Sequence, residues 1–235
     1  ETHTAVVRAF VERHFGRDAL PRAAAGTVAD VVLSDNAAGE YQERILSAAG
    51  FHDTAGAARN LRALAGDEPS RSLFARLAIL AVDVLRHKPD PDMALNNWER
   101  FSAVVPRRDE HFELLLAQPA RLEVLLTVFS GSQFLADTLV NHPEWFDWAT
   151  DPAILRPLRS VAAVGADLRA MGGAQPAQAE WRAAIRRARR REFLRIGTRD
   201  MWLGAPLDET VAEISAVAEA IVAATLEQCW QRYAG

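Results

Sequence analysis

The sequence predicts an all-α fold, a multi-helix bundle of about a dozen short-to-medium helices with two long ones at the C-terminal end. Three observations predict it. Apolar residues recur at three- and four-residue spacing almost throughout, with no convincing period-two stretch. Prolines and glycines punctuate the ends of these periodic segments. Finally, 235 residues at 49% hydrophobic composition can bury a full core, as one large domain or two smaller ones.

Taken in order, Gly50 and Gly66 follow periodic segments where a helix C-terminus needs a residue free to turn left-handed. "SLFARLAILAVDVLRH" (72–87) carries Leu73, Leu77, Leu80, Val84 and Leu85 as one stripe. Pro69, Pro89, Pro106, Pro119, Pro143, Pro152 and Pro176 open or separate other segments. Asp90-Pro91 places a carboxylate acceptor at an N-cap and a preset φ at the first helical position. In "SGSQFLADTLV", Ser130 and Gln133 fit an S-x-x-Q capping box, which satisfies two orphan amides reciprocally. "MGGAQPAQ" (171–178) is the least structured link. It divides an N-terminal bundle, 1–171, from an Arg-rich helix plus a long C-terminal helix, 177–235, unless the two form one continuous domain.

Charge and cysteine content narrow the function. A net charge of -4 argues against a globally basic nucleic-acid or anionic-membrane binder. Cys229 is the single cysteine, which fits a reducing compartment, and no apolar run approaches the roughly 20 residues of a membrane span. The opening "ETHTAVVRAF" lacks the layout of a signal peptide. The expectation is a cytoplasmic protein with no nucleic-acid and no membrane partner.

Chemical motifs are missing. There is no phosphate-cradling G-x-x-x-x-G-K, and the only lysine, Lys88, sits in no glycine loop. The histidines (3, 14, 52, 87, 111, 142) never pair at i, i+4 on one helix, so no zinc site is expected. Ser130-Gly131-Ser132 lacks the strand and glycine pattern of a nucleophile elbow. Asp90 and Asp92 form a D-x-D pair, which on a strand would point both carboxylates at one magnesium ion. Pro91 between them and the helix that follows make them diverge, so capping is the reading. No catalytic residue and no metal ligand is assigned.

The densest charge lies at "WRAAIRRARRREFLRIGTRD" (181–200). Residues 182–199 hold eight arginines and one glutamate, and their +7 leaves -11 for the rest of the chain. On a helical wheel Trp181, Ala184, Ile185, Ala188 and Ile196 share one arc, with Glu192 in its middle. A carboxylate buried there needs a cation, and Arg189 and Arg195 stand three residues either side. Arg187, Arg191, Arg195 and Arg199 step along one i, i+4 row. The candidate set is Arg187, Arg189, Arg190, Arg191, Glu192, Arg195, Arg199 and Asp200, either as internal ion pairs or as a docking surface for a neighbouring domain or a nucleotide's phosphates.

Four stretches occur in a telling order: "DPDMALNNWERF" (90–101), "FSGSQFLADTLVNHPEWFDW" (129–148), "RRARRREFLRIGTRD" (186–200) and "APLDETVAEISAVAEA" (205–220). Together they resemble the helical region of the glutamate–ammonia-ligase adenylyltransferase family, bifunctional enzymes that adenylylate and deadenylylate glutamine synthetase. The resemblance implies a nucleotidyltransferase domain using Mg2+ and ATP, regulated through a PII-type signalling protein. It also implies a catalytic G-S…D-x-D cluster after the helix beginning near Asp208, and this sequence does not reach it. Gly131-Ser132 is no substitute, because no D-x-D follows on a strand. The expected function is therefore the non-catalytic helical portion of such an enzyme, from its N-terminal, deadenylylating half. This portion would need no cofactor of its own and would pack on an adjacent nucleotidyltransferase domain. The alternative is a stand-alone helical binding protein for glutamine synthetase or the PII-type protein.

Overall fold

The computed structural model describes residues 26–34, 38–172 and 177–233. The opening stretch with His3 and His14, Pro176 and Gly235 lie outside the described residues. Among the described residues there are thirteen α-helices, one 3-10 turn and no strand. The chain forms two compact units, divided after Leu126.

The first unit contains α1 (Val28–Leu33), α2 (Gly39–Ala48), α3 (Thr54–Ala65), α4 (Ser70–Leu85), α5 (Pro91–Ser102) and α6 (Arg108–Ala117). The division falls inside α7 (Pro119–Gly131). Helix α4 takes α1, α3 and α6 around it. Its burial accordingly exceeds the single stripe expected: Phe74, Ala75, Ala78, Ala81 and Val82 are buried beside Leu77, Leu80 and Leu85, while Leu73 and Val84 are half-buried. Alanines at these points let three neighbours approach one helix. Phe74 stands at the centre of an aromatic cluster, with its ring 5.5 Å from Trp98 and 5.3 Å from Phe112.

The start of α5 explains the aspartate pair. Asp90 accepts the Met93 amide at 2.8 Å, with Pro91 at the first helical position. Asp92 points elsewhere and accepts the backbone amides of His52 and Asp53 at 2.8 and 3.2 Å. Asp53 in turn caps α3 by accepting the Gly56 amide at 2.8 Å. One carboxylate thus caps its own helix, and the other fixes the entry to α3.

The second unit holds α8 (Gln133–Asn141), a 3-10 turn (Pro143–Trp145), and the short α9 (Phe146–Ala149) and α10 (Pro152–Leu155). It ends with α11 (Val161–Gly172), α12 (Gln178–Leu203) and α13 (Leu207–Tyr233). Helices α11, α12 and α13 pack mutually around Val164, Leu168, Trp181, Ile196 and Val217. The link at 171–178 therefore lies inside a compact unit and is not the division expected there: α11, on its N-terminal side, shares a core with both helices that follow. At Gly204 the backbone turns left-handed (φ 64°), ending α12 with its amide on the Asp200 carbonyl.

The capping box at Ser130 is corrected by the structure. Helix α7 continues through Gly131, so Ser130 is still helical and its hydroxyl donates to the Thr127 carbonyl at 3.1 Å. Ser132 is the N-cap of α8, accepting the Leu135 amide at 3.4 Å, and Gln133 donates to Asp137 at 2.8 Å. A Cβ at Gly131 would lie 2.7 Å from the Met201 sulfur, so the last residue of α7 packs closely under Met201. Ser132→Ala should cost about 0.5–1 kcal/mol of stability, the lower part of the range for losing an N-cap, and more than Ser130→Ala. Urea unfolding of the two variants side by side checks the assignment; the reverse order would restore Ser130 as the cap.

Candidate functional site

Helix α12 buries Trp181, Ala184, Ala188 and Ile196 on one face and half-buries Ile185. Glu192 belongs to that face and is only 4% exposed. Its two oxygens are met from different directions. Arg195, one turn on, donates Nε at 3.0 Å, and Arg159, from the segment before α11, donates Nη1 to the other oxygen. Arg159 also pairs with Asp167 of α11 at 3.0 Å and donates to the Ala163 carbonyl at 3.2 Å.

The pairing continues into α13. Arg195 is fully buried, and its Nη2 lies 2.5 Å from Glu213, itself 3% exposed. The second Glu213 oxygen receives Arg199 at 3.2 Å, and Arg199 reaches Glu209 at 2.5 Å. The result is one alternating string, Asp167–Arg159–Glu192–Arg195–Glu213–Arg199–Glu209, across three helices. Each interior charge has an opposite charge on both sides, which offsets the cost of taking it out of water. The string is not fully satisfied: Arg195 Nη1, Arg199 Nε and Thr198 Oγ1 are buried without hydrogen-bond partners. A buried pair set of this kind fixes geometry more than it adds stability.

The other residues of the arginine stretch are placed differently. The Arg191 guanidinium stacks 4.1 Å over the Trp148 ring. Burial lowers its pKa below the ordinary arginine value, against the opposing pull of Asp167 and Glu192. Arg189 lies 5.1 Å over the ring of Phe193 and is exposed, so it is not a partner of Glu192. Both Glu192 oxygens are already taken on the buried side by Arg159 and Arg195. Arg187 and Arg190 are exposed, as is Asp200, which accepts the Thr210 hydroxyl at 3.4 Å.

Four members of the string escaped the sequence reading: Arg159, Asp167, Glu209 and Glu213. Glu209 and Glu213 could have been found, since their i, i+4 spacing matches that of Arg195 and Arg199 on the preceding helix. Arg159 lies between helices, where no period marks which way a side chain points.

The carboxylates of the site do not fit a magnesium centre. Asp90 and Asp92 are held by backbone amides, and the buried carboxylates of the string are held by guanidinium groups. Among the described residues no group of three or more His, Cys, Asp or Glu side chains could hold a metal ion. A cleft of about 380 Å³ lies beside Trp181 between α11 and α13, with Arg169 and Glu227 paired across it at 3.4 Å.

Residues 122–234, from α7 to the end of α13 and including all of the string, match the family described as glutamate-ammonia ligase adenylyltransferase. Over this stretch, just under half of its length, the chain is similar to the glutamate–ammonia ligase adenylyltransferase family. Within that family, the bifunctional glutamine synthetase adenylyltransferase/adenylyl-removing enzyme of Leifsonia xyli subsp. xyli is 29% identical over 223 residues, covering 94% of this chain and 22% of that protein. The enzyme of the same name from Streptomyces avermitilis is 29% identical over 216 residues, 90% of this chain and 21% of its own length. That of Caulobacter vibrioides is 31% identical over 134 residues, 57% and 13%. The chain spans about a fifth of the length of the first two relatives. No solved structure matches it.

Proposed function

We propose that this chain is a non-catalytic helical portion of an enzyme that adenylylates and deadenylylates glutamine synthetase, from the N-terminal, deadenylylating half. In this reading the chemistry, with its Mg2+ and ATP, belongs to an adjacent nucleotidyltransferase domain, and the helical portion supports that domain and helps to present glutamine synthetase. A PII-type signalling protein is a further partner in this scheme, and the setting is the cytoplasm.

The observation that carries the reading is the outer face of α13. Leu207, Val211, Ile214, Val222, Leu226, Trp230 and Tyr233 form an exposed apolar stripe, with Trp230 at 73% and Tyr233 at 91% exposure. They lie opposite Glu213, Val217, Ala220 and Ala224, which α13 buries. At about 1.5 Å per residue the stripe runs for some 40 Å. A continuous stripe of large exposed apolar side chains over this length is the kind of surface that a partner covers, and it supports a covering domain.

The test uses purified residues 1–235 with Mg2+, ATP, inorganic phosphate and glutamine synthetase in its unmodified and adenylylated forms. The expected result is no AMP transfer and no phosphorolytic removal. Either activity in the pure chain overturns the reading.

A further inference from the structure

The arginines of α12 fall into two populations. Arg195 and Arg199 point inward and belong to the ion-pair string. Arg182, Arg186, Arg187, Arg189 and Arg190 are all exposed. At 100° per residue these five directions occupy an arc of about 160°, opposite Trp181. Among the described residues none of the five is ion-paired: Arg189 rests on the Phe193 ring, and Glu180, the nearest acid on the helix, is engaged with the Ala177 amide. Five guanidinium groups within nine residues repel each other. The i, i+4 like-charge pairs Arg182–Arg186 and Arg186–Arg190 each destabilise the helix by a few tenths of a kcal/mol. Inside the unit every interior charge of the string is matched, whereas this face is left with a concentrated and uncompensated positive field.

We propose that the Arg182–Arg190 face of α12 is a docking surface for a carboxylate-rich protein surface. Resting on the function proposed above, that surface belongs to glutamine synthetase. Guanidinium forks bind carboxylate and phosphate alike, so the choice between protein and nucleic acid rests on the surroundings. The rest of the chain outside 182–199 carries -11, so there is no net basic charge beyond this stretch for an extended polyphosphate to follow. The face also offers no free aromatic platform for a base, since Trp181 is buried and Phe193 lies half-buried beneath Arg189. A patch of carboxylates spaced like the arginines meets neither obstacle.

The experiment measures binding of the chain to purified glutamine synthetase at low and high salt. It compares the native sequence with Arg186→Glu/Arg190→Glu and Arg186→Gln/Arg190→Gln, with thermal unfolding showing that each is folded. Short duplex DNA is the competing probe. The expected result is binding that weakens with salt and falls by about tenfold or more in the Glu pair, with a smaller loss in the Gln pair. Native and variant proteins binding equally at all salt concentrations would overturn the docking face and leave the proposed function standing. No binding of the native chain to glutamine synthetase would remove both the partner and the docking face. Tighter binding to DNA than to glutamine synthetase would replace the protein partner with nucleic acid.

Discussion

Arg195→Ala should lower the stability of the second unit by about 3–5 kcal/mol, the cost of breaking a buried ion pair by deleting one partner. Arg195 is fully buried between Glu192 and Glu213, which are 4% and 3% exposed. Its removal leaves two carboxylates facing each other without the cation that separated them. Arg159 still holds Glu192 and Arg199 still holds Glu213, so the string breaks into two shorter pieces. Adding Glu213→Gln to Arg195→Ala should recover part of the loss, because it removes one of the stranded charges; a double-mutant cycle reads that coupling directly. Arg187→Ala is the matched control: its side chain is exposed, and it should stay within about 0.5 kcal/mol of the native protein. Urea unfolding of the native protein, Arg195→Ala, Glu213→Gln, the double variant and Arg187→Ala makes the comparison. A loss at Arg195 no larger than that at Arg187 would mean that the string holds nothing together.

Trp98→Ala should cost the first unit a comparable amount, about 3–5 kcal/mol, for a different reason. Trp98 is fully buried, with its ring 5.5 Å from Phe74 and 6.3 Å from Phe112. Truncation removes the transfer free energy of the indole and leaves a cavity that two stiff rings cannot fill. Its ring nitrogen has no hydrogen-bond partner, so the loss is one of packing alone. Trp98→Phe should therefore cost less than Trp98→Ala, since most of the volume is retained. Near-equal destabilisation by the two, measured by denaturant unfolding, would point instead to a polar role for the indole.

These two sites also show what was legible in the sequence and what was not. The all-α architecture was legible because helical periodicity is local: each stripe declares itself within about four turns. The burial of Trp181 and Glu192 follows from the same wheel, and Asp90 reads as a cap because Pro91 marks the first helical position. Ser130 misled because two serines stand two residues apart and the choice depends on whether α7 ends before or after Gly131. No local pattern around Gly131 decides between the two. Arg159 was invisible for a similar reason, since a residue between helices has no period and its partner lies on another element. The division after Leu126 was hidden because it falls inside a helix, where composition does not change. The candidate site was half legible: the α12 residues that contribute charge were in the predicted set, but the acids that receive it from α11 and α13 were not.

The alternating string also bears on how α12 and α13 can move. The two helices form an antiparallel hairpin closed by Gly204–Pro206, and they meet at Arg195, Arg199, Glu209 and Glu213. A slip of one turn, about 5.4 Å, would bring Val217 against Arg195 in one direction and carry Arg195 onto Glu209 in the other. The first slip keeps one of the three cross-helix pairs, Arg199 with Glu213, and the second keeps two, both on Glu209, so only the native register satisfies all three. The hairpin is thus keyed against sliding, like two toothed bars with one matching notch. A load arriving on the apolar side of α13 must turn the whole hairpin or give up at least one of these buried pairs.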